Sequence, residues 1–176
     1  MKKNFTVCLI LIGAFGFFRC DNFLEKEPQA ILGSTTFYKT ESDALKAVNA
    51  VYDKLNKRFT TNYALWVMND IPTPDTETPS AELPIAIINN FTFGTTSDVI
   101  DNLWVECYDA ITRANIAIQY IPNIDMDEGM RSRLVAEAKF LRGWFYLILA
   151  TTYGEVPLVL KPISASDKEA LIQDKA

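Results

Sequence analysis

The stretch that decides the fold runs from Asp127 to Pro157 and reads DEGMRSRLVAEAKFLRGWFYLILATTYGEVP. Asp127 can cap a first helical turn, and Leu134, Ala138, Leu141, Phe145 and Ile148 then recur at three- and four-residue intervals as one apolar stripe. Phe140, Trp144 and Leu147 make a second stripe. From Phe140 onward the helix is apolar on nearly all sides, so it is expected to be the central, most buried element. Gly143 costs about 1 kcal/mol in a helix interior relative to Ala, and a close backbone neighbour is the expected reason for it. Gly154 gives a C-terminal stop, and Pro157 cannot continue the helix.

Immediately upstream, the joint from Asn123 to Asp127 is short enough to make this helix one arm of an antiparallel hairpin. The other arm carries Ile100, Leu103, Trp104, Cys107, Tyr108, Ile111, Ala114, Ile118 and Ile121, with Ser97 or Asp98 as cap and Pro122 as stop. Asn115 interrupts that stripe. A buried amide left unpaired costs about 1–3 kcal/mol, so Asn115 is expected to tie its helix to a neighbouring backbone. Asp109 and Arg113 stand four apart as an ordinary exposed ion pair, contributing at most ~0.5 kcal/mol. Cys107 falls on the apolar face and reads as a buried small hydrophobe.

An earlier helix is signalled by Thr40 and Asp43, spaced as a capping box, followed by Ala44, Val48, Val51, Tyr52, Leu55 and Phe59. Between Thr60 and Thr96 the texture changes. Pro72, Pro74, Pro79 and Pro84 forbid a continuous helix, Asp70, Asp75, Glu77 and Glu82 are interleaved, and Tyr63, Trp66, Phe91 and Phe93 lack a periodic stripe. A loop of this length in a compact domain is usually functional or disordered.

The chain of 176 residues has no histidine, which removes Ser-His-Asp and Cys-His catalysis and His-ligated zinc. With 17 basic and 22 acidic residues and a net charge of −5, it lacks the clustered cations that a nucleic-acid partner requires. The spacing Asp70-Ile-Pro-Thr-Pro-Asp75-Thr-Glu77 lacks the EF-hand pattern and its glycine, so no metal or cofactor is expected.

At the N-terminus, Lys2 and Lys3 precede an apolar run from Phe5 to Phe18, shorter than a spanning helix needs and of signal-peptide length. Cys20 sits where a bacterial lipoprotein signal is cut, the alternative being an uncleaved N-terminal anchor. Arg19 stands where such signals carry a small residue. Removal of residues 1–19 leaves 14 of the 17 basic residues against all 22 acidic ones, a net charge of −8.

Four pieces in order carry a family resemblance: Cys20-Asp-Asn-Phe-Leu-Glu-Lys-Glu-Pro28, the helix from Phe37 to Leu55, Trp104-Val-Glu-Cys-Tyr-Asp-Ala-Ile-Thr-Arg-Ala-Asn115, and Ala136 to Leu158. This order is similar to that of the SusD/RagB outer-membrane nutrient-binding lipoproteins. The resemblance implies an all-α, tetratricopeptide-like scaffold divided into a signal peptide (1–19), a lipid-anchor leader (20–40), a helical domain (41–160) and a polar tail (161–176). No 34-residue self-similarity is visible in the sequence itself.

The resemblance also implies lipidation at Cys20, exposure on the outer membrane, and partnership with a TonB-dependent transporter of the SusC type. It covers only the N-terminal portion of a typical member, so the chain reads as a truncated gene, a fragment or a separately encoded half. Asn115, Glu137, Arg142, Tyr146 and Tyr153 of the diagnostic motifs read as scaffold.

For a ligand the resemblance points to the region holding Trp66-Val-Met-Asn-Asp70. An oligosaccharide would stack on Trp66 and hydrogen-bond through Asn69, Asp70 and Asp75, as flat aromatics suit sugar faces and carboxylates suit hydroxyls. The bland alternative packs Trp66 in the core and leaves the acids solvating a loop. A different class of function, a helical module that docks a transporter or the rest of a split protein, is suggested by the apolar surround of Trp144, Phe145 and Tyr146. A glycoside hydrolase needs two carboxylates held ~5–10 Å apart across a cleft, and an acidic proline-rich loop is no such frame.

Overall fold

The computed structural model describes residues 37–78, 83–94 and 97–163, all within one compact unit, Ser34–Ala176. The expected signal peptide 1–19, Cys20, the expected anchor leader up to residue 36 and the chain from residue 164 lie outside the described residues.

Helix α1 spans Glu41–Leu55 and begins as its sequence dictates. The Thr40 hydroxyl accepts from the Asp43 N–H, and the Asp43 carboxylate accepts from the Thr40 N–H at 3.0 Å, satisfying two of the otherwise orphaned donors. A π-helical turn, Arg58–Asn62, follows, then the short helices α2, Ala64–Asn69, and α3, Leu83–Asn89. The long helices α4, Asp98–Tyr120, and α5, Glu128–Tyr153, complete the fold, and no strand occurs among the described residues. Ser97 occupies the cap position of α4 without a capping side-chain bond, whereas Asp127 caps α5 by accepting from Met130 N–H at 2.8 Å.

Helices α4 and α5 form the expected antiparallel hairpin. At its open end the Tyr153 hydroxyl donates to the Ile100 carbonyl at 2.6 Å, at mid-length Arg142 donates to Asn115 Oδ1 at 2.8 Å, and near the turn Ile121 and Leu134 share one apolar cluster. Arg131 stitches the turn by donating to the carbonyls of Ile124 and Met126. Helix α1 lies across both arms: Ala44, Ala47 and Val48 join the turn-end cluster, while Val51 joins a larger cluster with Val67, Ile88, Leu103, Ile111 and Phe145. The two short helices are held by their buried faces, Ala64 and Val67 on α2 and Ile85 and Ile88 on α3.

Past Gly154, whose φ of 80° and ψ of −124° suit only glycine, the chain turns back and runs extended along the hairpin. This strap is read by side chains from both arms. Tyr108 donates to the Pro157 carbonyl at 2.8 Å, Asn115 Nδ2 and Tyr146 both donate to that of Val159 at 2.9 Å, and Val159 N–H donates back to the Tyr146 hydroxyl at 2.6 Å. Arg142 reaches the Leu160 carbonyl at 3.3 Å. Asn115 therefore pairs with a neighbouring backbone, as its position in the stripe predicts, and Arg142, Tyr146 and Tyr153 are scaffold.

Four expectations are corrected. Helix α5 is not buried all round: Phe140 is 69% exposed, Trp144 40% and Leu147 55%, because α1, α4 and the strap cover only the stripe through Leu134, Phe145 and Leu149 and the side bearing Tyr146. Gly143 meets no close backbone; a Cβ there would find nothing within 4 Å. The segment from Thr60 to Thr96 is not one loop, since the prolines fall between or at the start of two short helices rather than inside them. Asp109 pairs with Arg113 at 3.2 Å as expected, but it also accepts from the buried Lys54, which bonds Glu106 at 2.6 Å as well.

Candidate ligand-binding face

The residues between α1 and α4 are positioned by backbone hydrogen bonds that small polar side chains complete. Buried Thr60 holds the π-turn by donating from one hydroxyl toward the carbonyls of Lys54, Lys57 and Leu55, at 2.6, 2.9 and 3.1 Å. Three aromatics around this turn form a connected group, with Phe59 and Tyr63 half-buried against the core and Trp66 exposed. Phe59 and Tyr63 stand edge to face at 6.3 Å, Tyr63 and Trp66 are tilted at 6.2 Å, and the Arg58 guanidinium lies 4.8 Å over the Tyr63 ring.

Trp66 is 45% exposed on α2, so its ring is not consumed by the core. Asn69 and Asp70 end the same helix, both exposed, with the Asp70 N–H donating to the Trp66 carbonyl at 2.9 Å. The Asp70 carbonyl gathers the following loop, accepting from Thr73 at 2.7 Å and Thr76 at 2.9 Å. Asp75 is exposed between them. Asn89 of α3 clasps the loop from the other side, donating from Nδ2 to the carbonyls of Ile71 at 2.9 Å and Thr76 at 3.0 Å.

The structure thus places Asn69 as the last residue of the helix that carries Trp66, and Asp70 and Asp75 in the closed loop that follows. The side chains of Asn69, Asp70 and Asp75 make no hydrogen bond to another described residue. That leaves flat aromatic surface beside uncommitted acceptors and an amide, a combination suited to the faces and hydroxyls of a sugar. Two contributors were missed by sequence reasoning: Asn89, whose role depends on a contact eighteen residues away, and the π-turn, which has no compositional signature. Among the described residues no group of three or more Cys, Asp or Glu stands close enough to hold a metal ion.

A helical hairpin crossed by a third helix, with a clasped loop on the short helices, defines an all-α scaffold. Residues 22–173 match the SusD-like family described as "Starch-binding associating with outer membrane", and the chain belongs to that family. Its members are binding proteins rather than enzymes.

The chain is 30% identical to SusD-like protein P38 of Formosa agariphila over 90% of its own length and 31% of that relative's. It is 27% identical to SusD-like protein P25 of the same organism, over 92% and 32%. It spans about a third of the length of these relatives. Among solved structures, a laminarin-binding SusD-like protein superposes with a TM-score of 0.63 at 29% identity, covering 74% of this chain and 29% of that one. No helix among the described residues is long and apolar enough to cross a membrane.

Proposed function

We propose that this chain is a non-catalytic glycan-binding component of a cell-surface nutrient-capture system, tethered to the outer membrane through Cys20 and working with a SusC-like TonB-dependent transporter. The observation that carries the reading is the family match over residues 22–173. The half-exposed Trp66 beside the uncommitted Asn69, Asp70 and Asp75 supports their assignment as the ligand face. A β-glucan is the first ligand to test, since the solved relative binds laminarin.

In affinity gels containing laminarin or starch, the purified chain is expected to be retarded, and Trp66→Ala to weaken retention about tenfold, the equivalent of ~1.4 kcal/mol of stacking. Retention unaffected by Trp66→Ala removes this site assignment; absence of retention on every glycan tested removes the ligand class. Labelling with palmitate, lost in Cys20→Ser, tests the anchor.

A second reading, a helical partner-docking module without a ligand of its own, is favoured by one observation: the uncovered stripe of Phe140, Trp144 and Leu147 on α5. It predicts co-purification with a membrane transporter that is lost in Trp144→Glu. A monomeric chain that binds sugar alone counts against it.

A further inference from the structure

The outward face of α5 has an order beyond its apolar character. Ala136, Phe140, Gly143, Leu147 and Ala150 follow one another in steps of four, three, four and three residues, with Trp144 beside Gly143, and all six are exposed. Steps of this kind keep a stripe turned toward a single partner helix along its whole length. From Ala136 to Ala150 the stripe is about 21 Å long.

Two features of it are unfavourable within one chain. Phe140 and Leu147 leave large apolar surface in water. Gly143 weakens a helix interior, yet a Cβ there would meet nothing within 4 Å, so no described part of the fold uses the space it leaves open. A helix glycine is useful where another backbone or a large side chain comes close.

The pattern selects what comes close. Side-chain size along the stripe runs small, large, small, large, small, nearly the same from either end, and a two-fold axis sets one patch against itself. With antiparallel helices and the axis between Gly143 and Trp144, each Phe140 lies opposite Leu147 of the second copy, and each Trp144 lies over the gap at the other Gly143.

Charge favours the same orientation. Arg133 and Lys139 are exposed in the first half of the helix, whereas Gly143–Tyr153 carries no charged residue and is followed by the exposed Glu155. Parallel copies would set Lys139 against Lys139 and Arg133 against Arg133. Antiparallel copies separate these cations, bring Arg133 toward Glu155 of the second copy and oppose the two helix dipoles.

We propose that this face is the interface of a homodimer in which two α5 helices pack antiparallel about a two-fold axis between Gly143 and Trp144. A strip one helix wide falls well short of the ~800 Å² per partner of a standard interface, so the dimer is weak, with Kd on the order of 10 µM. The proposal is independent of the glycan reading, and it gives the face a different occupant from the transporter of the second reading.

Sedimentation velocity of the full chain across about 1–100 µM tests it, with a monomer–dimer equilibrium expected in that range. Phe140→Lys and Gly143→Gln are each expected to weaken association tenfold or more. Gly143→Gln separates interface from fold. At ~1 µM, where the chain is monomeric, its Tm is expected to rise by about 2–4 °C because glutamine is the better helix former. Arg133→Glu is expected to weaken the dimer about threefold, and adding Glu155→Arg to restore it.

A chain that stays monomeric at the top of the concentration range overturns the proposal; if it also co-purifies with a transporter through Trp144, the face belongs to the second reading. Association undiminished in Phe140→Lys and Gly143→Gln overturns it by placing the contact elsewhere. A fall in Tm in Gly143→Gln overturns it too, because the space beside the glycine would then belong to the fold. Failure of Glu155→Arg to restore Arg133→Glu overturns the antiparallel arrangement.

Discussion

Lys54 is 6% exposed on α1 and meets two carboxylates from α4, Glu106 and Asp109, the latter shared with Arg113. Burial works against its charge, but the hydrogen bonds to Asp109 and Glu106 outweigh it and raise its pKa above the ordinary lysine value. The stability this contributes is therefore present in full below the ordinary value and is lost as pH rises through the elevated one. Lys54→Met would leave Glu106 without its counter-charge and Asp109 with Arg113 alone. A loss of about 2–3 kcal/mol in urea unfolding at pH 7 is expected, partly recovered when Glu106→Gln is added.

At the next residue of α4 after Glu106, burial and then the Glu106 carboxylate push the Cys107 thiol up to about 12 from 9.0. Between those values the unfolded chain has given up the proton while the folded chain keeps it. Unfolding is then favoured as pH rises, so stability should be flat below about pH 9 and fall from there toward 12. Urea midpoints across this range check it, and Cys107→Ala should delay the onset toward pH 10. There the raised pKa of Tyr108, also about 12, takes over.

At the level of elements, Gly143 separates what helix periodicity carries from what it omits. The two stripes of α5 are plain in the sequence, but periodicity does not say how many neighbours a helix will have, and only one stripe is covered. Because a Cβ at position 143 meets nothing within 4 Å, Gly143→Ala should stabilise the protein by about 0.5–1 kcal/mol, read as a higher urea midpoint. A midpoint that falls would mean that a backbone does approach there.

The caps at Thr40 and Asp127 were legible because their partners lie three residues away. The clasp by Asn89 and the pairing of Lys54 were not, because their partners lie 18 and 52 residues away. For the same reason the candidate site was legible as a set of residue types, Trp66, Asn69, Asp70 and Asp75, but not as a closed loop. Phe91 could be noticed as an aromatic without a stripe, yet its left-handed backbone, with φ at 54°, has no sequence signal in a phenylalanine.

For the whole molecule, the fold is a hairpin of α4 and α5 stiffened by α1 on one side and the strap on the other, with the candidate face on the short helices. The apolar surface of α5 at Phe140, Trp144 and Leu147 lies apart from both cores. Phe140→Lys combined with Leu147→Lys should therefore leave Tm within about 2 °C of the parent while reducing self-association at high concentration, measured by light scattering. A large fall in Tm would place those side chains in the core after all.

The strap gives the molecule a mechanical property. Pro157, Val159, Leu160 and Lys161 are each gripped through a backbone carbonyl, by Tyr108, by Asn115 with Tyr146, by Arg142 and by Asn115 respectively. A pull on the chain beyond Lys161, directed along the strap, loads these bonds together in shear. Tension is divided between both arms of the hairpin before it reaches Gly154, so the end of α5 is shielded from unravelling turn by turn.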